Sequence, residues 1–477
     1  MNFTDGRYPI FLLAVFALYW ALTSRPLARK VLLLAAGYTF YAQWNVKYLG
    51  LIVFSTALDY YLANAISRFD DNRRRKLLLT CSVVANIGVL GLFKYYGFFT
   101  ESLNQLLTSL GLPPSLPTLH LLLPVGISFF TFENISYTLD VYRKKIEPTR
   151  SLLDYAIFVS FFPRMVAGPI IRASHFLPQL NATPAYDDKQ ILGGFFLILK
   201  GLTKKILLAD MLGFWLVDAV FQDPTPYHGA RILIGVYAYA FQIYNDFSGY
   251  TDIAMGSARM LGFSLPPNFN RPYLAQDLQD FWHRWHISLS TWLRDYLYIG
   301  LGGSRVSVSR TYANLFITML LGGLWHGANW TFVIWGAFHG GVLAITRMIQ
   351  RAQGERGELA LGWRNVASTA ANMILTFNLV CVGWVLFRAA TFPMAMTVFE
   401  QMTHGGSLGL GHPYSKLSVL LLALAAILHL TPTHWQTKAE ERFVNMPAPA
   451  QAAVFLFALG AFTLFSGQGV PFLYFQF

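Results

Sequence analysis

The chain has 477 residues, 55% hydrophobic, 16% aromatic and only 13% charged, with a positive mean hydropathy. That balance excludes a soluble globular domain and describes a polytopic membrane protein whose long apolar runs are helices, since a helix satisfies its own backbone groups in lipid. Lys plus Arg number 36 against 24 Asp plus Glu, but the basic residues fall in short connections between apolar runs, so the excess expresses membrane topology and not nucleic-acid binding.

A crossing helix needs roughly 20 apolar residues, so the hydropathy pattern implies about ten to twelve spans together with shorter in-plane or re-entrant pieces. No repeat, low-complexity tract or linker divides the chain, which reads as one domain over 1–477 with a catalytic core at about 120–390. Cys81 and Cys381 each lie in an apolar run without CxxC or metal-type spacing, so neither a disulfide framework nor a metal site is expected.

Residues 8–23 read as a retained first span, and Arg25, Arg29 and Lys30 after it place the N-terminus outside. Two apolar segments over 31–66 carry the interfacial cluster Tyr38, Phe40, Tyr41 and Trp44, and a charged loop follows at 70–76. After the next span, 77–99, prolines 113, 114 and 117 break the chain before an apolar run that exits at Arg143, Lys144 and Lys145. Pro124 and Gly126, and then Pro163, Arg164, Gly168 and Pro169, interrupt apolar sequence; they mark either broken helices lining a cavity or kinks that serve packing.

Lys200, Lys204, Lys205 and Asp210 cluster inside the apolar stretch 193–221. Two readings stand: lysines that snorkel to an interface, or a phosphate-facing patch in which Lys204 and Lys205 would meet an anionic donor. Asp246 and Asp252, six residues apart, fit ion-pair or helix-terminus roles better than an acid and base pair.

Most of the chemistry is expected between 281 and 339. On a helical wheel for 281–298, Trp282, Trp285, Leu289, Trp292, Leu293 and Tyr296 share one face and Arg284, Ser288, Thr291 and Asp295 the other. His286 falls on the apolar face of what reads as a helix at the membrane surface. Arg310 and Arg347 are 37 residues apart with almost no charge between them; one helix of that length would reach roughly 55 Å, nearly twice the bilayer core. The segment must fold back, and Gly322, Gly323, Gly327 and Asn329 mark the place, with His326 deep inside.

An ionisable ring at membrane depth is costly and points to function. A lone buried histidine is usually structural, but two, 40 residues apart and each beside a tryptophan, favour a site. Burial keeps an imidazole neutral, the state a general base needs. His326 is therefore read as the base that takes the proton of an attacking hydroxyl in acyl transfer, with His286 positioning it or steadying charge on a thioester oxygen. Trp325, Asn329, Trp285 and Arg284 are the candidate substrate contacts. No G-x-S-x-G elbow is present, so a serine acyl-enzyme is not expected. Beyond Arg388 lie a polar loop over 403–416, spans near 417–430 and 453–465, and an aromatic tail at 472–477.

Over nearly its whole length the chain resembles the membrane-bound O-acyltransferases, in their bacterial polysaccharide O-acetyltransferase branch. The resemblance rests on LPVGISFFTF at 123–132, VAGPIIR at 166–172, DFSGY at 246–250, PNFNRPY at 267–273, RWHISLSTWLRDYLYIGL at 284–301, TMLLGGLWHGANW at 318–330 and the aromatic C-terminus. It departs from the family pattern at His283 and Asn245. The resemblance implies helices around a tunnel, His326 as the essential histidine and His286 as the second polar position. It further implies a cytoplasmic acetyl-CoA donor, no bound cofactor, and an exported polysaccharide such as alginate or cellulose as acceptor. A periplasmic acetyltransferase partner and a place in the bacterial inner membrane are implied as well. The competing expectations are D-alanyl transfer to teichoic acid and, from another class, a transporter or export channel.

Overall fold

The computed structural model describes residues 3–119, 121–165, 168–353, 363–406 and 413–465, so the aromatic tail at 472–477 lies outside the described residues. Among the described residues there are helices and turns but no strand, and the extended pairing is one isolated antiparallel bridge between Phe269 and Trp285. The chain is an all-α polytopic membrane protein. Five described segments are long and apolar enough to cross a bilayer: Pro26–Arg68, Asn72–Ser109, Trp330–Arg351, Ala367–Arg388 and Ala448–Phe465. A sixth is added if Lys416–Leu430 and Thr433–Val444, bent by 93°, form one span.

Pro26–Arg68 comprises the helices Pro26–Asn45 and Leu49–Arg68, 20 residues each and joined by a 3₁₀ turn at Val46–Tyr48. Each is about 30 Å long, the thickness of a bilayer core. Arg7–Ala21, expected as the first span, is a helix of 15 residues, or about 22 Å. Its buried residues Tyr8, Leu12, Val15 and Tyr19 recur at helical spacing on one face.

Two compact units make up the chain: Met1–Ile198 with Ile253–Pro266, and Leu199–Asp252 with Pro267–Phe477. In the first, buried polar side chains clamp helices to one another. Asp59 on Leu49–Arg68 accepts from Ser82 and, at 2.7 Å, from Asn86, both on Asn72–Leu90. Ser82 also hydrogen-bonds Thr138 of Ile127–Tyr142 at 3.0 Å. The Pro-Gly interruption is the entry to that last helix: Gly126 has a φ of +74°, and a side chain there would come 2.5 Å from the Met165 carbonyl. The intramembrane charge expected at Arg164 is matched by a buried ion pair with Glu133.

The second unit contains the hairpin that carries His326. Val308–His326 and Trp330–Gln353 run antiparallel around a turn at 327–329, so the fold-back occurs where the glycine-rich stretch placed it. Gly322 and Gly323, however, lie within the first helix. A Cβ at Gly323 would meet the Phe332 carbonyl at 2.3 Å and the Gly336 Cα at 3.0 Å; one at Gly336 would meet the Met319 carbonyl at 2.5 Å. The two backbones touch here, the close approach that small residues give helices in membranes. Gly323→Ala is expected to lower stability by about 1–3 kcal/mol through this clash. Gly341→Ala, with no atom within 4 Å of its added Cβ, is expected to be neutral or slightly stabilising. Thermal melting of both variants in detergent checks the contrast.

Candidate active site

The segment after 281 does not form the single amphipathic helix expected of it. Leu278–Arg284 is a helix whose start is capped by Asp277, which accepts from the Asp280 N–H at 2.7 Å. It stops at Trp285, which is extended and pairs with Phe269. The Asn270 N–H donates to the Arg284 carbonyl at 2.9 Å and the Ile287 N–H to the Asn268 carbonyl at 3.0 Å. Between these bonds His286 is left-handed, with φ +43° and ψ 54°, before helix resumes at Ile287–Trp292 and widens into the π-helical turns Leu293–Tyr298. The break is invisible to periodicity because it is made by segment 268–270, which captures the backbone groups. A non-glycine residue in this region costs about 1–2 kcal/mol, and such strain gathers at functional sites.

The break delivers the ring. His286 is fully buried with Phe247 edge-on at 4.7 Å between centroids, Trp325 at 5.9 Å and His326 at 6.4 Å. His326 is the last residue of its helix, 5% exposed, and is walled by Trp325 at 5.0 Å, Trp335 at 5.2 Å and Phe387 at 5.3 Å. The turn beyond it depends on Gly327, where a Cβ would come 2.2 Å from the Phe332 ring. Two imidazoles 40 residues apart in sequence thus face each other in an aromatic enclosure.

The other expected residues fall into different places. Trp325 lies against both histidines. Asn329 accepts from the Thr331 N–H at 3.0 Å and donates to the Ala390 carbonyl at 3.2 Å, so it ties the turn down. Trp285, a candidate substrate contact, is buried against Trp384 at 4.9 Å and Phe269 at 5.0 Å. Arg284 forms a half-exposed ion pair with Asp280 at 2.7 Å, one helical turn away.

Neither reading of the lysine patch holds for Lys205. Its ammonium is buried between Asp210 at 2.7 Å and Asp246 at 2.6 Å, so burial demands carboxylate partners and leaves no outward cation for a phosphate. Lys204 and Lys200 both approach Asp252, at 2.7 and 3.3 Å. Asp246 and Asp252 are thus ion-pair residues. A cleft lined in part by Trp282, His283, Ile287, Thr291, Arg294 and Arg347 holds a cavity of about 460 Å³. Its charged lining residues Arg294 and Arg347 are both cationic, and Arg294 is partly offset by Asp295 at 2.8 Å. Trp335 and His339, given no role by the sequence, are each 1% exposed beside His326 and Trp282 respectively. Their i, i+4 spacing on one helix face was the available signal.

Removing the buried cation should be severe and removing the outer one mild. Lys205→Met is expected to cost about 3–5 kcal/mol by stranding two carboxylates, and Lys204→Gln less than about 1 kcal/mol because its pair is partly solvated. Thermal melting in detergent reads both.

Against known proteins, the chain is 39% identical to the probable alginate O-acetylase AlgI of Azotobacter vinelandii over 100% of both chains. It is 42% identical to the probable alginate O-acetylase AlgI of Pseudomonas aeruginosa over 93% of this chain and 85% of that one. It is also 36% identical to the peptidoglycan O-acetyltransferase of Helicobacter pylori over 89% and 84%. The family model for MBOAT, the membrane-bound O-acyltransferase family, matches residues 146–384, which bracket both central histidines. With that match and near-complete alignment to several relatives, this multi-pass chain is a membrane enzyme belonging to the membrane-bound O-acyltransferase family.

Proposed function

We propose that the chain moves acetyl groups from cytoplasmic acetyl-CoA across the bacterial inner membrane for O-acetylation of an exported, alginate-like polysaccharide. The observation that carries this reading is the apposition of His286 and His326 at 6.4 Å inside a buried aromatic enclosure. It is supported by relatives named probable alginate O-acetylase and peptidoglycan O-acetyltransferase, names that share O-acetylation of a polymer.

In the reaction, His326 accepts the proton of a hydroxyl as its oxygen attacks the thioester carbonyl carbon. The C–S bond then breaks, and the thiolate leaves and takes up a proton. His286 holds the hydroxyl or the charge that develops. Arg294 and Arg347 at the cavity wall are suited to the phosphates of coenzyme A, since guanidinium groups match phosphate in shape and charge. The acceptor is either the polysaccharide itself or a periplasmic acetyltransferase that relays the acetyl group. The N-terminus faces the periplasm, with Arg25, Arg29 and Lys30 following the first apolar helix on the inner side.

His326→Ala should reduce polymer acetylation to background in cells while the protein stays folded in the membrane; wild-type acetylation in that variant rejects the assignment. Arg294→Gln with Arg347→Gln should raise the KM for acetyl-CoA about 10- to 100-fold, the worth of one or two charge-assisted hydrogen bonds. Turnover of free acetyl-CoA by the purified chain separates this reading from D-alanyl transfer, which draws on a carrier protein.

A further inference from the structure

Beside His326 the aromatic enclosure has a second polar side. Trp335 and His339 stand one turn apart on the same face of Trp330–Gln353, ring centroids 4.7 Å from each other, and each is 1% exposed. Among the described residues, Nε1 of Trp335 and both ring nitrogens of His339 have no hydrogen-bond partner. Buried polar groups almost always have one, and a buried indole N–H in particular.

The nitrogens also converge. A Cβ placed on Gly383 of Trp363–Arg388 would lie 2.6 Å from Nε2 of His339 and 3.4 Å from Nε1 of Trp335, so both nitrogens lie close to the same side-chain-free point of that helix. One turn further along the same helix is Phe387, whose ring touches His326 at 5.3 Å, and Trp335 itself touches His326 at 5.2 Å. On the other side His339 is covered by Trp282 at 5.3 Å, a residue that lines the 460 Å³ cavity and whose own Nε1 lacks a partner. Trp282, His339 and Trp335 therefore form a continuous run of polar rings from the cavity wall to His326.

We propose that Trp335 and His339 bind the carbonyl oxygen of the acyl group through their ring N–H groups. The inference rests on the acetyl-transfer reading: with His326 and His286 both engaged by the acceptor hydroxyl, the thioester oxygen is the reacting atom that still needs donors. As the hydroxyl oxygen bonds to the carbonyl carbon, the carbonyl oxygen takes the electron pair and returns it when the C–S bond breaks. Trp335 and His339 keep their protons throughout. Preorganised neutral donors in a dry site stabilise such charge most effectively.

The test uses the purified full-length chain and two inert coenzyme A thioethers, one bearing a ketone (S-acetonyl) and one without (S-propyl). Wild type should prefer the ketone about tenfold, the worth of one hydrogen bond. His339→Gln, which retains an N–H, should keep that preference and His339→Phe should lose it. Acetyl transfer by His339→Phe should fall about 10²- to 10³-fold at unchanged acceptor KM and melting temperature, with His339→Gln recovering most of it. Equal binding of the two thioethers by wild type overturns the inference, as does equal impairment of the Phe and Gln variants, which would mean that His339 serves packing or holds only a water. If wild type binds neither thioether, the acetyl-CoA reading itself fails and the inference falls with it.

Discussion

The second unit is organised by backbone contact between the helices Val308–His326 and Trp330–Gln353. At Gly323 and Gly336 no side chain separates them, and without a hydrophobic driving force in lipid such van der Waals approach is what joins helices. The crossing fixes the turn at 327–329, and the turn fixes His326 as the terminal residue of its helix. Trp335 and His339 follow on the returning helix, opposite Gly383 and Phe387. Trp325, Trp335 and Phe387, which wall His326, are therefore placed by helix register and not by loops, as a precisely held site requires.

His286 reaches the same enclosure by a different device. Its backbone is held left-handed by bonds from residues on either side to Asn268 and Asn270. The Asn268 side chain also accepts from the Ser288 N–H at 3.2 Å. The unit thus contains one histidine set by a regular element and one set by strain, 6.4 Å apart. Nearby, the buried Lys205–Asp210–Asp246 cluster holds the helices that carry Phe247 under the His286 ring.

How far this was legible in the sequence depends on the kind of signal. The fold-back at Gly327 was readable because a run of 37 residues without charge is too long for one membrane crossing. His326 and His286 were readable because titratable rings in apolar sequence are rare. The break at Trp285 was not, since periodicity carries no information about a distant segment that competes for backbone hydrogen bonds. Lys205 was visible as a buried-looking charge, but its partners Asp210 and Asp246 are a tertiary fact. His339 sat in plain view at the end of the same stretch, yet one histidine four residues from a tryptophan on an apolar helix resembles ordinary core until Gly383 is seen to face it.

The ring enclosure around His326 also bears on what the enzyme avoids. In the proposed reaction the thioester is open to attack by water as well as by the acceptor hydroxyl, and water is the more abundant of the two. Walls of Trp325, Trp335 and Phe387 offer a water molecule few partners, whereas an acceptor brings binding energy from the rest of its chain. For the proposed reaction the jacket would act as a kinetic filter, setting how much of each thioester goes to product and how much to hydrolysis.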